Sequence, residues 1–173
     1  MPVFTGQDLL DGQLYYPGGS ITLAGARIES ARTGINALTV VIPFGFGVCK
    51  GTGEKDLILP TSGSSVFIGV AREMEIEKRA GFSLNATGLF GCPVKHELTY
   101  TEAGDIAVYV DGNVTMGSPV FLRHTANGSV VGSFRGDADG SNAVLIVGAS
   151  WMGTVTGGIP SDLKLAPLRI NRP

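Results

Sequence analysis

The chain has 173 residues, of which 43% are hydrophobic and 16% charged, and a formal net charge of -2. That length supports one domain with its own core, since a chain near ~150 residues buries roughly 70% of the surface it exposes when unfolded. A charged share well below the ~25% of typical soluble proteins points to a largely neutral surface that works packed against others. It also leaves no clustered Lys and Arg to capture nucleic acid.

The opening Met1-Pro2-Val3-Phe4 lacks a basic region followed by an apolar stretch, so no secretory signal is read there. Residues 1–36 combine Leu14-Tyr15-Tyr16-Pro17-Gly18-Gly19 with an alternating Ile21 and Leu23, and read as an N-terminal arm or early strands. The longest apolar run, 37–49, is interrupted by Pro43, Gly45 and Gly47 and falls short of the ~20 residues a spanning helix needs. These features predict a soluble protein made in the cytoplasm, with no membrane partner.

From 37 to 156 the pattern is that of a β core domain. Short strands are expected at 38–42, 44–49, 57–59, 66–71 and 86–98, with Gly51-Thr52-Gly53 and Ser62-Gly63-Ser64 as turns. Only 72–80, rich in Glu and Lys, has a helical composition, and its charges read as a solvated face. In 105–110, Ile106, Val108 and Val110 share one face before Asp111-Gly112 stops the strand. Two strands, 120–124 and 129–134, flank Asn127-Gly128, whose chemistry suits the positive φ of a hairpin turn. The run 143–149 is apolar on both faces, so its neighbours must cover two sides.

The tail, 157–173, carries Pro160, Pro167 and Pro173 between Leu163, Leu165, Leu168 and Ile170. Proline without a ladder N–H belongs on edges and in extended arms, so the tail reads either as an arm lying on another subunit or as an edge strand of its own domain. The expected fold is all-β: an antiparallel jelly-roll-like β-sandwich with extended N- and C-terminal arms. Leu14, Tyr15 and Tyr16 at one end, and Leu163, Leu165, Leu168 and Ile170 at the other, are the candidate subunit or capsid contacts.

Chemistry finds little to stand on. The only imidazoles are His96 and His124, and Gly148-Ala149-Ser150-Trp151-Met152-Gly153 has one residue too many for a GxSxG elbow. Lys50-Gly51-Thr52-Gly53-Glu54 lacks the Gly-Lys-Ser/Thr of a phosphate loop and reads as a hairpin turn. Asp137-Ala138-Asp139-Gly140-Ser141 resembles the start of a calcium loop but has no closing glutamate, and reads as a polar hairpin tip. Arg135-Gly136-Asp137 matches a short integrin tripeptide that arises often by chance. Cys49 and Cys92 are too far apart for a CxxC pair and read as reduced core thiols, with a disulfide between them left open. No catalytic, cofactor-binding or metal residue is assigned, and no cofactor is expected.

An ordered set of short pieces carries more. Pro43-Phe44-Gly45 followed by Val48 comes first, then Phe67-Ile68-Gly69-Val70, then Gly104-Asp105-Ile106-Ala107-Val108-Tyr109-Val110. Next come Gly117-Ser118-Pro119-Val120-Phe121-Leu122-Arg123-His124, and Gly132-Ser133-Phe134-Arg135 with Asp137-Ala138-Asp139-Gly140. Over roughly residues 38–150 this order resembles the bacteriophage structural cement (capsid decoration) protein family. The resemblance implies a jelly-roll-like domain on the outer face of an icosahedral head that bridges copies of an HK97-type major capsid protein. It also implies self-association as a homodimer or trimer, and no catalytic residues. Gly104-Asp105 and Gly132 would punctuate strands, and Phe134 would lie in the core. The rival readings are a carbohydrate-binding β-sandwich, for which Trp151 is the sole tryptophan platform, and a head-completion or tail subunit.

Overall fold

The computed structural model describes residues 9–10, 13–14, 17–19, 30–73, 83–156, 158 and 162–171. Among them every regular element is a strand. β1 (Leu9–Leu10) and β2 (Gln13–Leu14) pair only with each other. Then come β3 (Ser30–Asn36), β4 (Ile42–Pro43), β5 (Gly47–Lys50), β6 (Asp56–Ile58), β7 (Phe67–Arg72), β8 (Ser83–Leu84), β9 (Phe90–Cys92) and the 14-residue β10 (Glu97–Val110). β11 (Phe121–Arg123), β12 (Phe134–Arg135), β13 (Ala143–Leu145), β14 (Ala149–Trp151) and β15 (Lys164–Ile170) complete the chain. Of the expected helical stretch, Arg72 ends β7 and 74–80 lies outside the described residues.

β10 serves two sheets. Its first half pairs with β3 and β7, and the pairings β3–β6, β6–β5 and β5–β7 close a five-stranded barrel. Its second half pairs with β15 and β12, and the sheet continues through β11 to β13 on one side and to β14 on the other. Following the pairing directions around this sheet makes β13 and β14 run the same way, with only residues 146–148 between them. They are two halves of one kinked strand, the first bordering β11 and the second β15. Six flat strands would hold their outer edges about 24 Å apart. The four steps from Leu145 to Ala149 reach at most about 14 Å, so this sheet has to roll up as well. The switch between the two barrels falls at Gly104, at φ 122°, next to a register shift between Thr101 and Ala103. The pairing differs from the expected antiparallel jelly roll in two places, because β3–β6 and β10–β12 are parallel.

Alternating side chains sort into two cores. Val48, Leu57 and Leu98 join one cluster with Ile42, Phe44 and Cys92. Cys49, Phe67 and Val70 join the other, with Ile106, Val108, Leu122, Phe134, Trp151 and Leu168. The β5–β6–β7 wall is therefore buried on both sides, which is why 44–49 reads as a continuous apolar run. The approach is close. A Cβ on Gly47 would lie 2.3 Å from Leu122 Cδ1 and 3.1 Å from Phe134 Cζ, and the Phe67 and Phe134 rings meet edge to face at 6.2 Å. No disulfide joins the two cysteines, which lie in different clusters, and burial pushes the Cys49 thiol up to about 12.

Both chain ends join this framework. Gly18 N donates to Ala107 O at 2.9 Å and Ala107 N donates to Gly19 O at 3.0 Å. A Cβ on Gly18, which has φ +66°, would sit 2.5 Å from Ala71 O, so only glycine fits this crossing. At the other end β15 runs antiparallel to β10 from Gly104↔Ile170 to Val110↔Lys164, and β14 pairs with its other edge. Pro167 faces Ala107 there as a non-hydrogen-bonded pair: Ala107 spends both backbone groups on Gly18 and Gly19, while the Pro167 carbonyl turns the other way and accepts from Met152 N at 2.9 Å. Asp105 and Arg169, opposite each other in the same register, form a two-pronged ion pair at 2.7 Å on each arm. Leu168 and Ile170 point into the chain's own core, while Leu165, on the other face of the strand, is 5% exposed, so these three candidate contacts are buried within the chain itself.

Two expected strands are broken by local chemistry. At 38–42 only Ile42 is in a strand, because the buried Asn36 side chain winds the chain around itself. Its Oδ1 accepts from Leu38 N at 3.0 Å, while its Nδ2 donates to Val40, Cys92 and Pro93 carbonyls at 2.9, 3.1 and 3.2 Å. The 86–98 run splits into β9 and β10 at Pro93 and Lys95, the latter at φ 60°. The expected hairpin exists, with Leu122 opposite Phe134 and with Asn127 and Gly128 at φ 34° and 78°. Its loop is longer than expected, because 129–133 is not strand.

If β15 is a core strand, Leu168→Ala lowers unfolding stability by about 3 kcal/mol. Urea denaturation of the full chain should show a lower midpoint with an unchanged slope. A change below about 0.5 kcal/mol, as for a surface site, would contradict that placement.

Candidate functional site: exposed apolar spots and a buried charge network

The strand ends Asp111, Arg123 and Arg135 meet under two loops, 124–133 and 136–142. Arg123 has a side chain only 1% exposed. Its Nε donates to Asp111 Oδ2, and its Nη1 lies 2.9 Å from Asp139 Oδ2 and donates to Thr125 O at 3.1 Å. Arg135 reaches Asp137 Oδ1 at 2.7 Å, Asp139 Oδ2 at 3.4 Å and Asp111 Oδ1 at 3.7 Å. The carboxylate of Asp139 also accepts from Asn127 Nδ2 at 3.2 Å. That bond, helped by the Arg123 and Arg135 guanidiniums, holds the Asp139 carboxyl below the usual range against the opposing effect of burial. The buried Arg123 guanidinium is tolerated because two carboxylates and a carbonyl answer its Nε and Nη1, while Asp111 Oδ1 has the Arg135 charge at 3.7 Å but no hydrogen bond.

This geometry accounts for the motifs in the same stretch. The two arginines occupy the position a cation would take in an Asp137–Asp139 cage, and no metal-binding cluster of His, Cys, Asp or Glu occurs among the described residues. The Arg135-Gly136-Asp137 tripeptide is closed on itself, since Arg135 Nε donates to Asp137 Oδ1 at 2.9 Å. The sequence offered one clue to the network: arginines at the ends of two neighbouring strands beside a short Asp-x-Asp-Gly loop.

The residues weighed for catalysis stay apart. His96 Nδ1 lies 2.9 Å from Val94 O and His124 Nδ1 lies 3.0 Å from Thr125 Oγ1, while Ser150 sits in β14 opposite Arg169. Lys50 Nζ donates to Glu54 O across the hairpin turn that joins β5 to β6. A cavity of about 540 Å³ is lined by Arg32, Lys50, Glu54 and Glu102 among others, with no Ser, Cys or His among the described residues that line it. Trp151 is buried, with Nε1 donating to Pro119 O at 3.1 Å, so it offers no platform for a sugar.

Besides Ile35, Val40, Val66 and Met116, the exposed large apolar side chains among the described residues include two neighbouring pairs on different sheets. Leu84 and Phe90 face each other across β8 and β9, 57% and 47% exposed. Phe90 lies on the same side of its strand as the buried Cys92, so the inward face of this small sheet runs past the core into solvent. In the kink between β13 and β14, Leu145 and Val147 point outward on either side of buried Ile146, with Val147 87% exposed. Of the candidate contacts, Leu163 is half-buried and Leu14 lies in β2, while Tyr15 and Tyr16 fall outside the described residues.

Removing Arg123 strands the Asp111 charge in the interior, so Arg123→Ala should cost about 3–5 kcal/mol in urea unfolding. The Arg32–Glu102 pair, at 2.8 Å with Arg32 68% exposed, serves as the control: Arg32→Ala should cost no more than about 1 kcal/mol. Equal effects from the two would contradict the burial argument.

No curated protein matches the sequence. The fold is shared with a chain from a structure titled "The capsid of Myoviridae Phage XM1", at 14% sequence identity and a TM-score of 0.61, over 98% of each chain. The sequence model for the family described as structural cement protein (E217 gp24/Pam3 gp6) matches residues 10–171. The chain belongs to the phage structural cement protein family.

Proposed function

We propose that this protein clamps the outer surface of a phage head, where it binds and bridges subunits of an HK97-type major capsid protein and works without catalysis. The observation that carries the reading is the family match across nearly the whole chain. The exposed apolar residues support it, because they lie on two different sheets and a bridge needs at least two faces. A single contact can be modest. A standard interface buries ~1,600 Å², and a molecule touching two subunits gains further through effective concentration. Self-association as a homodimer or trimer would multiply that gain. Leu14, Tyr15, Tyr16 and Leu163 remain candidate contacts for either partner, now joined by Leu84, Phe90, Leu145 and Val147.

Contacts of this kind depend little on charge. Binding to undecorated heads, followed by co-sedimentation, should change by less than about threefold between about 50 and about 200 mM salt, whereas phosphate-type binding loses about 10³-fold or more. Leu84→Ser combined with Phe90→Ser should raise the Kd for heads at least tenfold, by the loss of about 1.4 kcal/mol or more of contact energy, without shifting the urea midpoint. An unchanged Kd for that double variant, or steep loss of binding in moderate salt, would count against the reading.

A further inference from the structure

We propose that Asp111, Arg123, Arg135 and Asp139 form an acid-sensitive lock that holds the 124–133 and 136–142 loops as one rigid tip while the barrels stand independently of it. Neither loop contributes a residue to the two apolar clusters, and Thr125, Ala126, Asn127 and Gly128 are all exposed. The first loop is seated on the barrel at Gly132, which packs against Phe46 and Leu59 and accepts from Gly47 N at 2.8 Å. His124 N and Thr125 N join it to Asn142 O. Beyond these points the exposed tip is held by side-chain contacts that converge on Asp139. One loop reaches its carboxylate through Asn127, β11 through Arg123 and β12 through Arg135. Within its own loop Asn142 Nδ2 donates to Asp139 O at 2.9 Å, and Asp139 N donates to Asp137 Oδ1 at 2.9 Å. Behind Arg123 stands Asp111 at the end of β10, and beside it His124 lies against Gly63.

Asn127 and Asp139 hold φ 34° and 46°, in the left-handed region that asparagine and aspartate tolerate better than other non-glycine residues. Protonating Asp139 removes the charge both guanidiniums answer, and the loops are then released. The direction follows from linkage: a carboxyl held low in the folded state stabilises that state above its unfolded pKa. The contribution is lost as pH falls through the folded pKa, so the lock opens on the acid side of the ordinary aspartate range.

The test is amide NMR of the full chain from neutral pH into the acid range. Gly128 and Gly140 amides should move together in one step while those of Val108 and Leu168 hold their positions. Asp139→Asn should show the released tip at neutral pH and lose the separate acid step. Asn127→Ala should move the step toward the ordinary aspartate value. One step shared by tip and barrels, an acid step that survives in Asp139→Asn, or a midpoint unmoved in Asn127→Ala would each overturn the proposal.

Discussion

Both barrels depend on a single strand. β10 gives its first half to one ring and its second half to the other, and the change happens at a glycine whose φ of 122° few other residues could hold. Because the strand is continuous, neither barrel can be set independently of its neighbour. The β5–β6–β7 wall completes the coupling by filling both cores at once, with Gly47 letting it approach Leu122 and Phe134. The result is a framework in which the chain ends are braced as well, through Gly18 against Ala107 and Arg169 against Asp105.

That rigidity matters for a protein that works by contact. A clamp loses affinity for every segment it must order on binding, so a surface fixed in advance binds more tightly for the same area. The apolar spots sit on short, braced elements: the β8–β9 hairpin and the kink between β13 and β14. The buried ions follow the same logic. They add little to fold stability compared with apolar packing, but they fix the course of two loops whose side chains join neither apolar cluster.

Much of this was legible in the sequence, and the rest failed for identifiable reasons. The apolar runs 105–110, 120–124 and 66–71 located the second half of β10, β11 and β7, and the Asn127-Gly128 turn took the positive φ its chemistry suggested, but 99–104, which makes 97–110 one strand, went unread. β3 (30–36) went unread, because Ser-Ala-Arg-Thr-Gly-Ile-Asn has almost no apolar alternation and owes its strand state to pairing with β10 and β6. The proline-rich tail read equally as an arm or as an edge strand of its own domain, because proline cannot donate to a ladder. Only the structure reveals that Pro167 sits at a non-hydrogen-bonded position opposite Ala107, whose groups go to Gly18 and Gly19. Barrel closure is likewise invisible to periodicity, since it depends on which distant strands meet. The charge network was hidden because Asp111, Arg123 and Asp139 are separated in sequence and only strand pairing brings them together.

The central claim is that a framework braced at both ends bridges neighbouring subunits of a phage shell. A cryo-microscopy reconstruction of undecorated heads incubated with the purified chain tests it most directly. The account predicts a regular outer layer in which each molecule touches at least two shell subunits, one of the contacts made by the β8–β9 hairpin. Bare heads, density confined to a single vertex, or molecules each resting on one subunit alone would contradict it.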